Sequence, residues 1–216
     1  MDLKVTILYD NEVCRRGLRA DWGFACLVER GEQTILFDTG ASGAILLENM
    51  RILEIDPLAI DMVVISHGHW DHTGGLRDFL ANAGDVPVYV PPSFRVPPWL
   101  GENAVVVTAP LTLDDGICLT GELGKIEQSL VVSSSEGLVV IAGCSHPGVK
   151  AILEAASQFG PVFGLIGGLH GFSDFEVIKD LGLVCATHCT AHIGEIRERY
   201  PYTYREGGAG RVIEVP

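Results

Sequence analysis

Apolar and polar positions alternate in short blocks along the whole chain, and the blocks change period in a way that predicts a strand-rich α/β protein. Residues 3–9 (LKVTILY) predict a first strand, stopped by Asp10-Asn11. Residues 22–28 and 34–37 predict two more, joined across Glu29-Arg30-Gly31-Glu32 and closed by Asp38-Thr39-Gly40. Ile45, Leu46, Met50 and Leu53 then recur at helical spacing, which predicts a helix over 44–53. Pro57 marks a turn, and residues 60–65 predict a strand whose run Met62-Val63-Val64-Ile65 is apolar, as expected of a strand buried on both faces. A short helix over 76–83 and a strand over 86–90 follow.

The second half has the same texture. Residues 91–99 hold four prolines, a phenylalanine and a tryptophan, which predicts a stiff loop or flap. Strands are expected at 105–107, 117–119, 129–132, 138–141, 162–166, 183–186 and 212–215. Helices are expected at 149–159, 175–181 and 191–200, the first with Pro147 just ahead of it. There is no linker and no low-complexity stretch, so the pattern predicts one domain over residues 1–216.

The chemistry concentrates where strands end. Ser66-His67-Gly68-His69-Trp70-Asp71-His72-Thr73-Gly74-Gly75 follows the apolar run Met62-Val63-Val64-Ile65. At a strand end, residues i and i+2 point the same way, so His67 and His69 can grip one ion. If the chain turns into a helix there, Asp71 and His72 can face a second. The later strands carry the same device: His146 after 138–141, His170 after 162–166 and His188 after 183–186. Imidazole and carboxylate together suit borderline divalent metals.

Composition narrows the function. The formal charge is −13, with 28 acidic and 15 basic residues, which argues against nucleic acid and anionic membranes as partners. The six cysteines fit neither a disulfide framework nor paired CxxC zinc ligands. The start of the chain lacks a signal-peptide pattern, and no apolar run has the length of a membrane span. The expectation is a cytoplasmic protein acting on a small molecule, with a homo-oligomer left open.

Asp38-Thr39-Gly40 followed by the HxHxDH pattern at residues 67–72 resembles the metallo-β-lactamase-fold hydrolases. Gly143-Cys144-Ser145-His146-Pro147-Gly148, Gly167-Gly168-Leu169-His170 and Thr187-His188-Cys189-Thr190 are similar to the branch of 7,8-dihydropterin-6-yl-methyl-4-(β-D-ribofuranosyl)aminobenzene-5′-phosphate synthases, also described as metal-dependent hydrolases. The resemblance implies a four-layer αβ/βα sandwich and one or two divalent ions, zinc first, with manganese or iron as alternatives. It implies His67, His69, Asp71, His72, His146 and His188 as metal ligands, Asp71 and His170 as catalytic residues, and Asp38 as a support of the metal loop. The superfamily's bridging aspartate has no match. Two arrangements stay open: His146 with His170 in the aspartate's place, which is preferred, or Glu127 with Cys144. Trp22 and Trp70 are expected to pack, Cys144 and Cys189 to be small buried groups, and His192, Arg95 and Lys150 to lie at the surface. The implied activity is hydrolysis of an ester or phosphoester by a bound hydroxide. A pterin-related condensation and a non-hydrolytic iron-dependent redox or sensing role are the alternatives.

Overall fold

A computed structural model describes residues 2–216. Met1, where the expected domain begins, lies outside the described residues. Two mixed β-sheets stack face to face. The first has strand order β13-β1-β2-β3-β4-β5-β6, with β1 at Leu3–Tyr9, β2 at Ala25–Arg30, β3 at Gln33–Phe37, β4 at Met62–Val64, β5 at Val88–Val90, β6 at Ala104–Val106 and β13 at Val212–Val215. The second has order β12-β11-β10-β9-β8-β7, with β7 at Leu111–Asp114, β8 at Ile117–Leu119, β9 at Leu130–Ser133, β10 at Leu138–Ala142, β11 at Val162–Gly168 and β12 at Leu183–Thr187.

Period-2 alternation within otherwise apolar runs builds the layers. In β10, Val139 and Ile141 point into the core between the sheets, where they join Val5, Ile7, Val28, Phe37 and Val64. Leu138, Val140 and Ala142 point the other way, onto helix α4 (Val149–Ala156) and Ile196 of α5 (Ile193–Arg199). The first sheet does the same on its outer face. There Leu27, Leu36, Val63 and Val88 meet Leu46 and Met50 of α1 (Gly43–Ile52) and Leu76 and Phe79 of α3 (Leu76–Ala83). Three apolar cores thus separate four layers, helix–sheet–sheet–helix, which is the expected order.

Most expected elements form, and the departures have physical causes. The second strand starts at Ala25, because residues 22–24 form a loop that reaches the site. The helix expected over 149–159 loses its α-geometry after Ala156 and ends in a single 3-10 turn, closed by Gly160 at φ 148°. The helix expected over 175–181 is only a 3-10 turn, Phe175–Ile178, whose Phe175 and Ile178 plug into the outer core. Strand β7, largely exposed at the sheet edge, alternates over only four residues, Leu111-Thr112-Leu113-Asp114, which is too short a run to be read from the sequence. Among the described residues no helix is long and apolar enough to cross a membrane.

Candidate metal centre

The C-terminal ends of β4, β10, β11 and β12 open toward one another at the same rim of the sandwich, as expected of parallel strands in α/β sheets. After β4 the chain passes through His67 and His69 and turns into α2 (Trp70–Thr73), which carries Asp71 and His72 on its buried side. The turn into a helix is what lets two adjacent residues serve the site while His67 and His69 serve it from the loop.

Asp38 fixes this loop. Its carboxylate is fully buried and accepts the Ser66 amide at 2.7 Å, the Ser66 hydroxyl at 2.6 Å and Nδ1 of His72 at 2.7 Å. Because Ser66 Oγ donates to Asp38, it is free to accept from Nδ1 of His67, 2.9 Å away. The same logic holds at His188, whose Nδ1 lies 3.0 Å from Oδ1 of Asn11. Three histidines therefore have Nδ1 tied to a protein acceptor and Nε2 turned inward, the arrangement that orients imidazole for a metal.

The inward atoms form two groups. Nε2 of His67 stands 3.0 Å from Nδ1 of His69, which is 3.2 Å from Nε2 of His146. Oδ2 of Asp71 lies 3.3 Å from Nε2 of His188 and 3.9 Å from Nε2 of His72. Cys144 belongs to both. Its Sγ is within 4.8 Å of donor atoms of His67 and His146, and likewise of His72 and His188, with His72 Nε2 at 3.1 Å. The place between the two groups is thus taken by Cys144. His170, preferred there from the sequence, sits at the rim with its ring 5.2 Å from that of His146.

Glu127, the other open candidate, is fully buried and fully committed to backbone. Its Oε1 accepts the amides of Gly143, Cys144 and Ser145, and Oε2 that of His146, at 2.9 to 3.1 Å. It shapes the loop that presents Cys144 and His146, and it stands in neither group of donor atoms. Burial raises its pKa, against the pull of the His146, Ser145 and Cys144 amides. Gly143 is required here, because a Cβ would collide with the Ser66 side chain and lie 3.1 Å from His67 Nδ1.

Strain marks the same place. Asp38, Ser145, His170 and His188 all adopt left-handed backbone, with φ of 55°, 58°, 47° and 49°. Non-glycine residues hold such geometry only where their surroundings over-determine it.

The electrostatics favour neutral imidazole, the form that binds metals. Burial holds His67 far below the ordinary histidine value, helped by its histidine neighbours. Burial likewise holds His146 and His188 down to about 4. His72 is the exception. Burial pulls it down, but Asp38 and Asp71 outweigh burial and raise it. The fit to a cation rests on Nε2 of His188, which is buried and makes no aligned hydrogen bond although it faces Oδ2 of Asp71 at 3.3 Å. A buried unpaired nitrogen is costly unless something else binds it.

The sequence was silent on part of this shell. Trp22, expected to pack, is half-exposed and donates its indole N–H to Oδ2 of Asp71 at 2.9 Å, with its ring edge-on to His188. Trp70 is 64% exposed and packs into no core. Asp10 accepts the His188 amide at 3.0 Å and the Gly208 amide at 2.9 Å, tying three loops together. No local pattern announces these roles, because each contact spans a long stretch of chain. The flap places Phe94, Arg95 and Trp99 around a cavity of about 430 Å³ that also touches Gly68 and Thr73. A second cavity of about 300 Å³ lies beside His146 and His170, against Val149 and Phe172. His192 is paired with Glu195 at the surface, away from the centre.

A profile of the metallo-beta-lactamase superfamily matches residues 23–156. The chain belongs to that superfamily. Among relatives of this metallo-beta-lactamase superfamily member is a 7,8-dihydropterin-6-methyl-4-(beta-D-ribofuranosyl)-aminobenzene-5'-phosphate synthase of Methanocaldococcus jannaschii, 27% identical over 85% of each chain. The crystal structure of Tm1679, a metal-dependent hydrolase of the beta-lactamase superfamily, matches with a TM-score of 0.79 at 24% identity, over 99% of each chain. YhfI from Bacillus subtilis, a metallo-beta-lactamase fold protein, matches with a TM-score of 0.70 at 15% identity, over 99% of this chain and 100% of its own. At these identities the solved structures establish the fold, two mixed sheets flanked by helices. Within it, this superfamily member has a His/Cys donor set, with Cys144 where the resemblance leads one to expect a carboxylate.

Proposed function

We propose that this protein is a metal-dependent hydrolase of a small-molecule ester or phosphoester. The observation that carries the reading is the convergence of seven donor residues on one rim, with Cys144 shared between two groups and the buried Nε2 of His188 turned to Asp71 without an aligned hydrogen bond. One ion would be held by His67, His69 and His146, and a second by Asp71, His72 and His188, with Cys144 reaching both. A cation of this class lowers the pKa of a bound water to about 7 and polarises the oxygen of an ester or phosphoryl group.

The chain's own residues do the rest. Asp71, its Oδ2 steadied by Trp22, orients the attacking water and accepts its proton. His170, at the rim beside the cavity lined by Val149 and Phe172, donates to the oxygen on which charge develops. Phe94 and Trp99 offer apolar walls, and Arg95 a positive charge, to a substrate entering from the flap side. A net charge of −13 and the lack of a basic stripe favour a small molecule over nucleic acid as substrate. Zinc is favoured by the mixture of imidazole, thiolate and carboxylate.

The test uses bis(p-nitrophenyl) phosphate and p-nitrophenyl acetate. Turnover should vanish on chelation and return with Zn²⁺ or Mn²⁺, and a Co²⁺-loaded sample should show a near-ultraviolet thiolate band that Cys144→Ala removes. Full turnover in chelator would sink the reading.

A second reading, condensation on a pterin, is favoured by the archaeal relative, a synthase of a dihydropterin compound. Quenching of fluorescence on titration with a reduced pterin, without hydrolysis of either ester, would decide for it.

A further inference from the structure

We propose that Cys144 and Cys189 form an oxidation site, a thiol pair that closes to a disulfide and in doing so removes the shared ligand of the metal centre. The second half of this statement rests on the reading of Cys144 as a ligand.

The two sulfurs lie 3.3 Å apart, and all six cysteines are free. Reaching the S–S length of about 2.05 Å takes little more than about 1 Å of side-chain movement. The pair comes from different strands: Cys144 follows β10 and Cys189 follows β12, and β11 runs between them. What lets them meet over an intervening strand is Gly168. A Cβ at that position would lie 2.8 Å from Cys189 Sγ and 3.4 Å from Cys144 Cα. Any side chain there would push the thiols apart. The positions also differ in access. Cys144 is buried, whereas Cys189 is partly exposed and can meet a small oxidant.

The chemistry balances with a peroxide as co-reactant. The Cys189 thiolate attacks one peroxide oxygen, the O–O bond breaks, and a sulfenic acid forms as hydroxide leaves. The Cys144 thiolate then attacks that sulfur, the S–S bond forms, and the sulfenic oxygen leaves as water once protonated. In total two thiols and one hydrogen peroxide give one disulfide and two waters. A disulfide sulfur is no longer a thiolate, and the thiolate is the form that binds metal. Oxidation and cation binding at Cys144 are therefore mutually exclusive, and a dithiol restores the ligand.

The experiment treats reduced, metal-free, full-length protein with one equivalent of hydrogen peroxide, then alkylates and maps peptides by mass. The expected product links the Cys144 and Cys189 peptides, lowers the titratable thiols from six to four, and reverts with dithiothreitol. Cys14, the exposed thiol, is the internal control. Oxidation of Cys14 with the pair left unlinked would overturn the proposal. Cys189→Ser and Cys189→Ala should each abolish the link. Zn²⁺ titration of the linked form should show at least a tenfold loss of affinity against the reduced form, and an unchanged affinity would overturn the coupling. If the reduced protein bound no Zn²⁺, the metal-centre reading would fail, while the linked peptide would still decide the thiol pair.

Discussion

The indole Nε1 of Trp22 lies 2.9 Å from Oδ2 of Asp71, the same oxygen that faces Nε2 of His188 at 3.3 Å. The donor sets the carboxylate's rotamer before any cation arrives. Trp22→Phe keeps a ring beside His188 and deletes the N–H. Losing a group that orients a ligand typically costs 10–100-fold in metal affinity. We expect Trp22→Phe to weaken the ion at Asp71, His72 and His188 by roughly tenfold and to leave the ion at His67, His69 and His146 unchanged. Calorimetric Zn²⁺ titration resolves the two. Equal affinities in the variant and the parent would count against the role.

Glu127 organises the other side. Glu127→Gln keeps the shape but places an amide where a carboxylate oxygen accepts the His146 N–H. Losing a hydrogen bond to a buried charge costs about 1.5–3 kcal/mol. The variant should unfold at lower denaturant concentration by that amount and bind Zn²⁺ more weakly at His146. A stability equal to the parent's would contradict the account.

The two donor groups should differ in how their metal affinity responds to pH. His72 is raised by Asp38 and Asp71 against the effect of burial, so in the metal-free chain it keeps its proton above the ordinary histidine value of about 6.5. A metal must displace that proton, so affinity at the His72 group should climb as pH rises past about 6.5. His146, held at about 4 by burial and by His69, has already lost its proton there. Competition with a chromogenic chelator between about pH 5.5 and about pH 8 checks this. The expected result is a steeper slope for the ion at His72, and parallel slopes would refute it.

His170 lies at the rim, and its ring stacks near His146 without entering either donor group. His170→Ala should therefore lower kcat by roughly 10²-fold on whichever ester is turned over, with the metal content unchanged. Loss of a bound ion from the variant would make His170 a ligand instead.

How far the sequence reaches can be judged element by element. The run 3–9 alternates and the runs 138–142 and 183–187 are almost wholly apolar, each bounded by polar or small residues, so their strands follow from pattern alone, whereas the four-layer order came from the family resemblance. The turn at 175–178 and the edge strand at 111–114 do not, because tertiary packing at Phe175 and edge exposure at Leu111 decide them.

At the metal centre the division is sharper. By itself the sequence determined the strand-rich α/β pattern, the HxHxDH turn and the repeated strand-end histidines, since all three depend on local period and residue chemistry, and the motifs' resemblance to a family supplied the layer order. Only the tertiary structure decided which group stands between the two histidine sets. Cys144 and His170 end neighbouring strands, and their order of approach depends on how Glu127 folds the 143–146 loop inward. The roles of Trp22, Asn11 and Cys189 were decided the same way. Each is set by a through-space contact between distant segments, and a one-dimensional pattern carries no record of such distances.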